Sequence, residues 1–451
     1  MWTSAVCILG LVLANKATSA VVDDEVTFLP KYGVPKQRTL AGYVEANRSS
    51  SGHLFYMFFE KTGSPPTSET PLLIWLNGGP GASSSLGNFL EHGPYRLQPN
   101  GTLTENPTAW NMLAHIIYFD QPVGTGYSYC EADGYVTNMA QLSEQFSAAL
   151  QNFFGRHPEY RLNPLYICGE SYAGVYIPAI AAHILKRVPQ IKIAGVLIGN
   201  PGNFHYTQYN GQIEFALSHG MIGETEAKLA RTLWYECSNM VSRNEMVEAF
   251  QKCEEMSTYI FNQAGNPFLY NVAQWGDVYD DVLAPVMEKY LANPEVKKAL
   301  HVGNHSWKNG DGTSAPNPVV NALNKTLMDS VLPDLETLLE HHVPVRVYAG
   351  VLDGSSCNHR SVFESLTMLK WPGIASFLAA PREKWTVPGD SHPSGYTQSG
   401  GGLAFVWVAN SGHLVPTDQP RAALDMLRVF LQQTQLPLPS QMDTAHVQLV
   451  I

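Results

Sequence analysis

The stretch Leu165-Tyr166-Ile167-Cys168-Gly169-Glu170-Ser171-Tyr172-Ala173-Gly174 decides how this chain is read. Residues 165–168 form an apolar run of strand length, and residues 172–188 follow with helical spacing. Ser171 therefore stands where a buried strand turns into a helix. A serine in that place is either an ordinary turn residue or a nucleophile presented above a sheet, and the fragment alone fits both readings. Glycine two residues before it and the small Ala173 two residues after it meet the packing needs of a sharp turn, although the strict pattern has glycine at both places.

Working outward, apolar runs bounded by turn residues recur at 72–76, 115–119 and 194–198, with a helical pattern at 139–154. Such alternation is expected of a mostly parallel sheet. Residues 39–44 and 53–59 read as two antiparallel strands ahead of it. From 204 to 292 the pattern becomes helical, with segments at 224–237 and 245–256 and no buried strand. Strand and helix alternation resumes at 345–348, 403–408 and a final helix near 419–433. The expected architecture is an α/β-hydrolase fold, with a mostly parallel central sheet and helices on both faces. Its core is split into 21–203 and 293–451 by a helical cap insertion at 204–292.

Three more pieces make a nucleophile the better reading of Ser171. Leu76-Asn77-Gly78-Gly79-Pro80-Gly81 follows a strand some way upstream, where this fold supplies backbone donors to an oxyanion. Asp353 follows the run 345–348, and His413 lies in Ser411-Gly412-His413-Leu414-Val415-Pro416 after 403–408. Alone, an aspartate after a strand is a common turn residue, and one histidine among fifteen is usually structural. Together they stand in the order Ser, Asp, His that the fold uses for its triad.

With these residues in view, the chain resembles the serine carboxypeptidase family. The resemblance is carried by Trp75-Leu76-Asn77-Gly78-Gly79-Pro80-Gly81, Glu91-His92-Gly93-Pro94, Asp120-Gln121-Pro122-Val123-Gly124-Thr125-Gly126-Tyr127-Ser128, Gly169-Glu170-Ser171-Tyr172-Ala173-Gly174 and Gly412-His413-Leu414-Val415-Pro416-Thr417-Asp418. Residues 294–304 are similar to the vitellogenic carboxypeptidase-like branch. The resemblance implies Ser171 as nucleophile, His413 as general base and acid, and Asp353 as the group that orients the imidazole. It implies the Gly79 and Tyr172 amides as the oxyanion hole. It also implies Asn77, Gly78, Glu91 and Glu170 as the binding site for the substrate's terminal carboxylate, with peptide or protein C-termini as substrates; three carboxylates sharing that site favour a mildly acidic working pH, and no cofactor is expected. Two positions depart from the pattern: Ala82 stands where many members have a bridging cysteine, and Val351 where many have an aspartate.

Composition sets the setting. With 451 residues, 45% of them hydrophobic, the chain can bury a large core. A formal charge of -11 argues against nucleic acid and anionic membranes as partners. Residues 1–20 read as a signal peptide, with a short apolar run and small residues at Thr18-Ser19-Ala20, and no later run is long enough to span a bilayer. Sequons at Asn47, Asn100, Asn304 and Asn324 fit a secreted or lysosomal glycoprotein. Cys237 and Cys253 flank consecutive helical segments and are expected to form a disulfide; Cys168 is expected in the core and Cys357 as an accessible free thiol. No CxxC pair suggests a metal site. Beside peptide hydrolysis, an acyltransferase using the same triad and a non-catalytic secreted binding protein on the same fold remain as rival readings.

Overall fold

The computed structural model describes residues 24–63, 65–276, 282–308 and 317–435; the expected signal peptide lies outside them. The strands in chain order are β1 (Thr39–Asn47), β2 (Gly52–Phe59), β3 (Leu72–Leu76), β4 (Tyr95–Leu97), β5 (Leu103–Glu105), β6 (His115–Phe119), β7 (Leu165–Glu170), β8 (Ile193–Gly199), β9 (Val345–Gly350), β10 (Glu383–Trp385), β11 (Gly395–Gly400) and β12 (Leu403–Val408). Among the described residues ten of them form one sheet in the order β1-β2-β6-β3-β7-β8-β9-β12-β11-β10, and β4 pairs with β5 apart from it. The six strands from β6 to β12 in that order run parallel, and the antiparallel pairs lie at the two edges. This is an α/β-hydrolase fold.

The unbroken apolar runs of the central strands follow from cover on both faces. Leu72, Ile74, Leu165 and Ile167 enter one core cluster, packed with α1 (Met139–Arg156) and α2 (Ala173–Arg187). Their neighbours Leu73, Trp75, Tyr166 and Cys168 enter the other, beneath the C-terminal helix Pro420–Gln435. Alternate residues of a strand point to opposite faces, so a run with no polar position is what two covered faces require. Ala82, at the missing cysteine position, is buried in this second cluster. The β10 and β11 strands at the far edge were not anticipated. Tyr396 and Thr397 of β11 are half-buried, Ser399 is exposed and glycine stands at both ends, so no apolar alternation marks it.

Between β8 and β9 the described chain adds no strand to the sheet. Helices α3 (Gln208–Ser218), α4 (Glu224–Ser242) and α5 (Met246–Gln263) pack around Ile213, Ala227, Ala230, Ala249, Met256 and Ile260. Cys237 and Cys253, both fully buried, are joined in a disulfide that ties α4 to α5. Helices Ala284–Leu291 and Pro294–Ala299 instead pack beside the N-terminal strands, where the Tyr43 hydroxyl donates to Val302 O at 3.3 Å.

Replacing either cysteine of the pair by serine should lower unfolding free energy by about 3 kcal/mol, because the unfolded chain regains the freedom of a short closed loop. Denaturant titration of each variant under oxidising conditions tests this, and a loss below about 1 kcal/mol would show that the bridge adds little.

Candidate active site

Five neighbouring parallel strands deliver the site from their carboxyl ends. β3 leads into Asn77-Gly78-Gly79, β7 into Ser171, β8 into Asn200, β9 into the turn carrying Asp353, and β12 into the loop carrying His413. Ser171 has φ of 62°, the left-handed conformation of a tight strand-to-helix turn. Its backbone is held there by Ser171 N donating to Gly199 O at 3.0 Å, and by Gly174 N and Gly202 N donating to Ser171 O at 2.8 and 2.9 Å. The turn is crowded: a Cβ on Gly169 would lie 2.2 Å from Leu76 O and 2.9 Å from Ala173 Cβ. A small residue is therefore needed at Ala173, and alanine meets that need as glycine would.

Asp353 is fully buried and accepts four hydrogen bonds. His413 Nδ1 lies 2.6 Å from Oδ2, which also accepts from Asn200 Nδ2 at 2.8 Å. Ser355 donates to Oδ1 through its backbone N at 2.9 Å and its hydroxyl at 2.7 Å. Every contact comes from a donor, as an ionised carboxylate requires. His413 is buried and its ring stacks on Tyr270 at 4.6 Å between centroids, while His413 N donates to Tyr270 O at 2.6 Å. Ser171 and His413 line one cleft of 450 Å³ together with Gly79 and Tyr172.

The glycine loop approaches that turn as closely as backbones can. A Cβ on Gly78 would sit 2.2 Å from Tyr172 N and 2.8 Å from Ser171 Cβ, so only glycine fits there. This contact sets the Gly78-Gly79 peptide beside the N-terminus of α2, where the helix dipole favours developing negative charge. The loop is anchored from below by Asp120, whose Oδ1 accepts from the Ser83 hydroxyl at 2.5 Å and Ser84 N at 3.0 Å.

Asn77, Glu91 and Glu170 form a buried cluster beside this loop. Asn77 Nδ2 donates to Glu170 Oε1 at 2.9 Å, and Asn77 Oδ1 is held by Trp75 Nε1 at 2.8 Å and Gly87 N at 3.1 Å. Burial pushes both glutamates above the usual carboxylate range, and the charge of Glu91 raises Glu170 further.

The structure thus brings together every site residue expected from the sequence and adds some that were not expected. Asn200 reads in sequence as the start of an Asn-Pro-Gly turn, and only the pairing of β8 with β9 puts its amide on Asp353. Ser355 and Tyr270 were likewise missed. The accessible Cys357 expected from sequence is corrected: it is 8% exposed, and burial, then the Asp353 charge, holds its thiol protonated. Cys168 is fully buried, as expected. Asn100 and Asn304 are exposed, and Asn47 and Asn324 partly so.

Comparison with known proteins agrees with this geometry. Residues 30–433 match the family model described as serine carboxypeptidase. Serine carboxypeptidase S10 family member 1 of Dictyostelium discoideum is 33% identical over 87% of this chain and 94% of its own length. The probable serine carboxypeptidase CPVL of Homo sapiens is 32% identical over 87% of this chain and 83% of its own. The crystal structure of KEX1(Δ)p, a prohormone-processing carboxypeptidase from Saccharomyces cerevisiae, superposes with a TM-score of 0.78 at 25% identity, covering 88% of this chain and 92% of that one. A strand-to-helix serine, a buried carboxylate–imidazole pair and a family match over nearly the whole chain lead to one conclusion: this chain belongs to the serine carboxypeptidase family.

Proposed function

We propose that the chain removes C-terminal residues from peptides through an acyl-enzyme formed on Ser171, and that it works best in mildly acidic solution. The observation that carries this reading is the 2.6 Å contact between His413 Nδ1 and a fully buried Asp353, in a cleft that His413 shares with Ser171. With Nδ1–H committed to Asp353, the other ring nitrogen is free of its proton and takes that of Ser171 as the hydroxyl attacks the scissile carbonyl. The Gly79 and Tyr172 amides receive the oxyanion. His413 then protonates the leaving amine, and water repeats the sequence to release the acyl group.

Asn77, the Gly78 amide, Glu91 and Glu170 hold the terminal carboxylate of the substrate in this reading. A buried acid pair that keeps a proton can donate to a carboxylate, whereas an ionised pair would repel it. The requirement for a free carboxylate makes the enzyme an exopeptidase. The 204–292 segment is the cap that shapes side-chain preference, and the disulfide and sequons support a life in the secretory pathway, secreted or lysosomal. Among the described residues no helix is long and apolar enough to cross a membrane.

Incubation with an N-blocked dipeptide should release the free C-terminal amino acid, and a fluorophosphonate should modify Ser171 in the folded protein. Turnover of activated esters by acyl transfer with none of peptides would favour an acyltransferase. Absence of any label on Ser171 would favour a non-catalytic role.

A further inference from the structure

Two cavities share Tyr270, whose ring stacks on His413, and they differ in character. The smaller, of 230 Å³, is lined by Leu90, Phe268, Tyr270, Leu283, Leu414 and Asp418. It adjoins the carboxylate site, because Leu90 precedes Glu91 and Leu414 follows His413. A substrate whose terminal carboxylate sits among Asn77, Gly78, Glu91 and Glu170 therefore sends the side chain of its last residue there. The 450 Å³ cleft contains Ser171, Gly79 and Tyr172 but none of Asn77, Glu91 and Glu170. It receives the residue on the acyl side of the scissile bond, the penultimate one.

That cleft has apolar walls, with Phe250, Leu269, Val320 and Leu327, and one acid, Glu254 of α5. Tyr209 donates its hydroxyl to Glu254 Oε1 at 2.5 Å and so fixes the carboxyl on the wall. Among the described residues no lysine or arginine lines the cleft, and Glu254 takes part in no ion pair. Its surroundings reinforce one sign of charge: burial, then Asp353 and to a smaller degree Glu254, push the Cys357 thiol up, and Asp329 acts with burial on Tyr172. A long apolar stem ending in a cation is the shape and charge this space lacks. Lysine and arginine have that form, with methylenes for the walls and a charged head for the acid.

We propose that Glu254 is the specificity-determining residue of the acyl-side pocket and selects peptides with lysine or arginine in the penultimate position. This rests on the assignment of Ser171 and the carboxylate site made above. Glu254 is exposed to the cleft, so an incoming cation meets its carboxyl directly and the pairing is on the scale of a surface ion pair. The cation also reaches Glu254 only when the scissile carbonyl is seated at Ser171, so the effect should appear in kcat/KM for cleavage rather than in general peptide affinity.

The test is a comparison of kcat/KM for three N-blocked dipeptides with C-terminal leucine, carrying lysine, norleucine or glutamate before it. Norleucine keeps the stem of lysine without the charge. The parent enzyme should favour lysine over norleucine by roughly threefold or more and should be slowest with glutamate. Glu254→Gln should bring the lysine to norleucine ratio close to one, and Glu254→Lys should reverse the order of lysine and glutamate. A parent enzyme that cleaves the norleucine peptide as fast as the lysine peptide would overturn the proposal without any variant being made. So would a lysine to norleucine ratio unchanged in a folded Glu254→Gln protein. Failure to cleave any of the three peptides would overturn the carboxypeptidase reading itself, a different result from cleavage without preference.

Discussion

Ser171→Ala and His413→Ala each lower kcat/KM for a blocked dipeptide by roughly 10⁴-fold or more, with the fold intact. The size follows from what each side chain supplies. Ser171 carries the aliphatic hydroxyl at the β7 to α2 turn, and its backbone bonds to Gly199, Gly174 and Gly202 do not involve that hydroxyl. Alanine keeps those bonds and loses only the nucleophile. His413 is held by its own backbone bond to Tyr270 and by stacking, so truncation removes the proton carrier while the loop stays anchored by Gly412 N donating to Asp418 Oδ2 at 2.7 Å. Pre-steady-state release of the first product separates the two variants from a binding defect, because neither should show a burst. Asp353→Asn belongs to the same experiment. All four contacts of Asp353 come from donors, so an amide must point its NH₂ at one of them, and the imidazole is left in the wrong tautomer. Near-normal rates in Ser171→Ala or His413→Ala would remove that residue from the mechanism.

The parts of this site that could be read from sequence are those whose chemistry depends on local context. A serine between an apolar strand and a helix, and glycines after β3, carry their meaning within ten residues, because the strand must be buried and the turn must be tight. Asp353 and His413 were legible because each follows a strand in a fixed order. Asn200 was not, since an asparagine after a strand is ordinary turn chemistry until β8 and β9 are known to be neighbours. Tyr270 lies in a segment with no regular structure, and its contact with His413 spans two distant parts of the chain. Glu254 is harder still: on an amphipathic helix a glutamate next to Cys253 reads as a solvated position, and only the packing of α5 against α3, which brings the Tyr209 hydroxyl to its carboxyl, sets it on the wall of a cleft. The edge strands β10 and β11 escaped because a half-exposed strand with glycine at both ends has no buried face to impose a pattern.

The pH dependence of peptide binding should reside in Glu91 and Glu170, and their joint replacement by glutamine should flatten it. Both carboxyls are buried, and burial is the largest cause lifting them from the ordinary glutamate value of 4.5, Glu91 to about 7. The groups facing them are the Asn77 amide, His413, Arg96 and the Tyr118 and Tyr348 hydroxyls, with Asp353 adding further negative charge at Glu170. Below about pH 6 the pair holds protons that can be donated to a substrate carboxylate. As pH rises through 7 the pair gives up a proton, a donor disappears and repulsion takes its place, so KM for peptides should climb by roughly tenfold per pH unit beyond that point. The same shift acts on stability. The folded state binds these protons more tightly than the unfolded chain, so their contribution is present below about pH 4.5 and is lost as pH rises towards 7. Glutamine keeps the shape of the protonated acid and cannot ionise. In the Glu91→Gln, Glu170→Gln double variant KM should therefore vary little between pH 5 and 7.5, and the fall in melting temperature over that range should shrink. Blocked substrates that lack a carboxylate should show no rise in KM even in the parent enzyme. A KM profile in the double variant as steep as the parent's would take these two residues out of substrate binding.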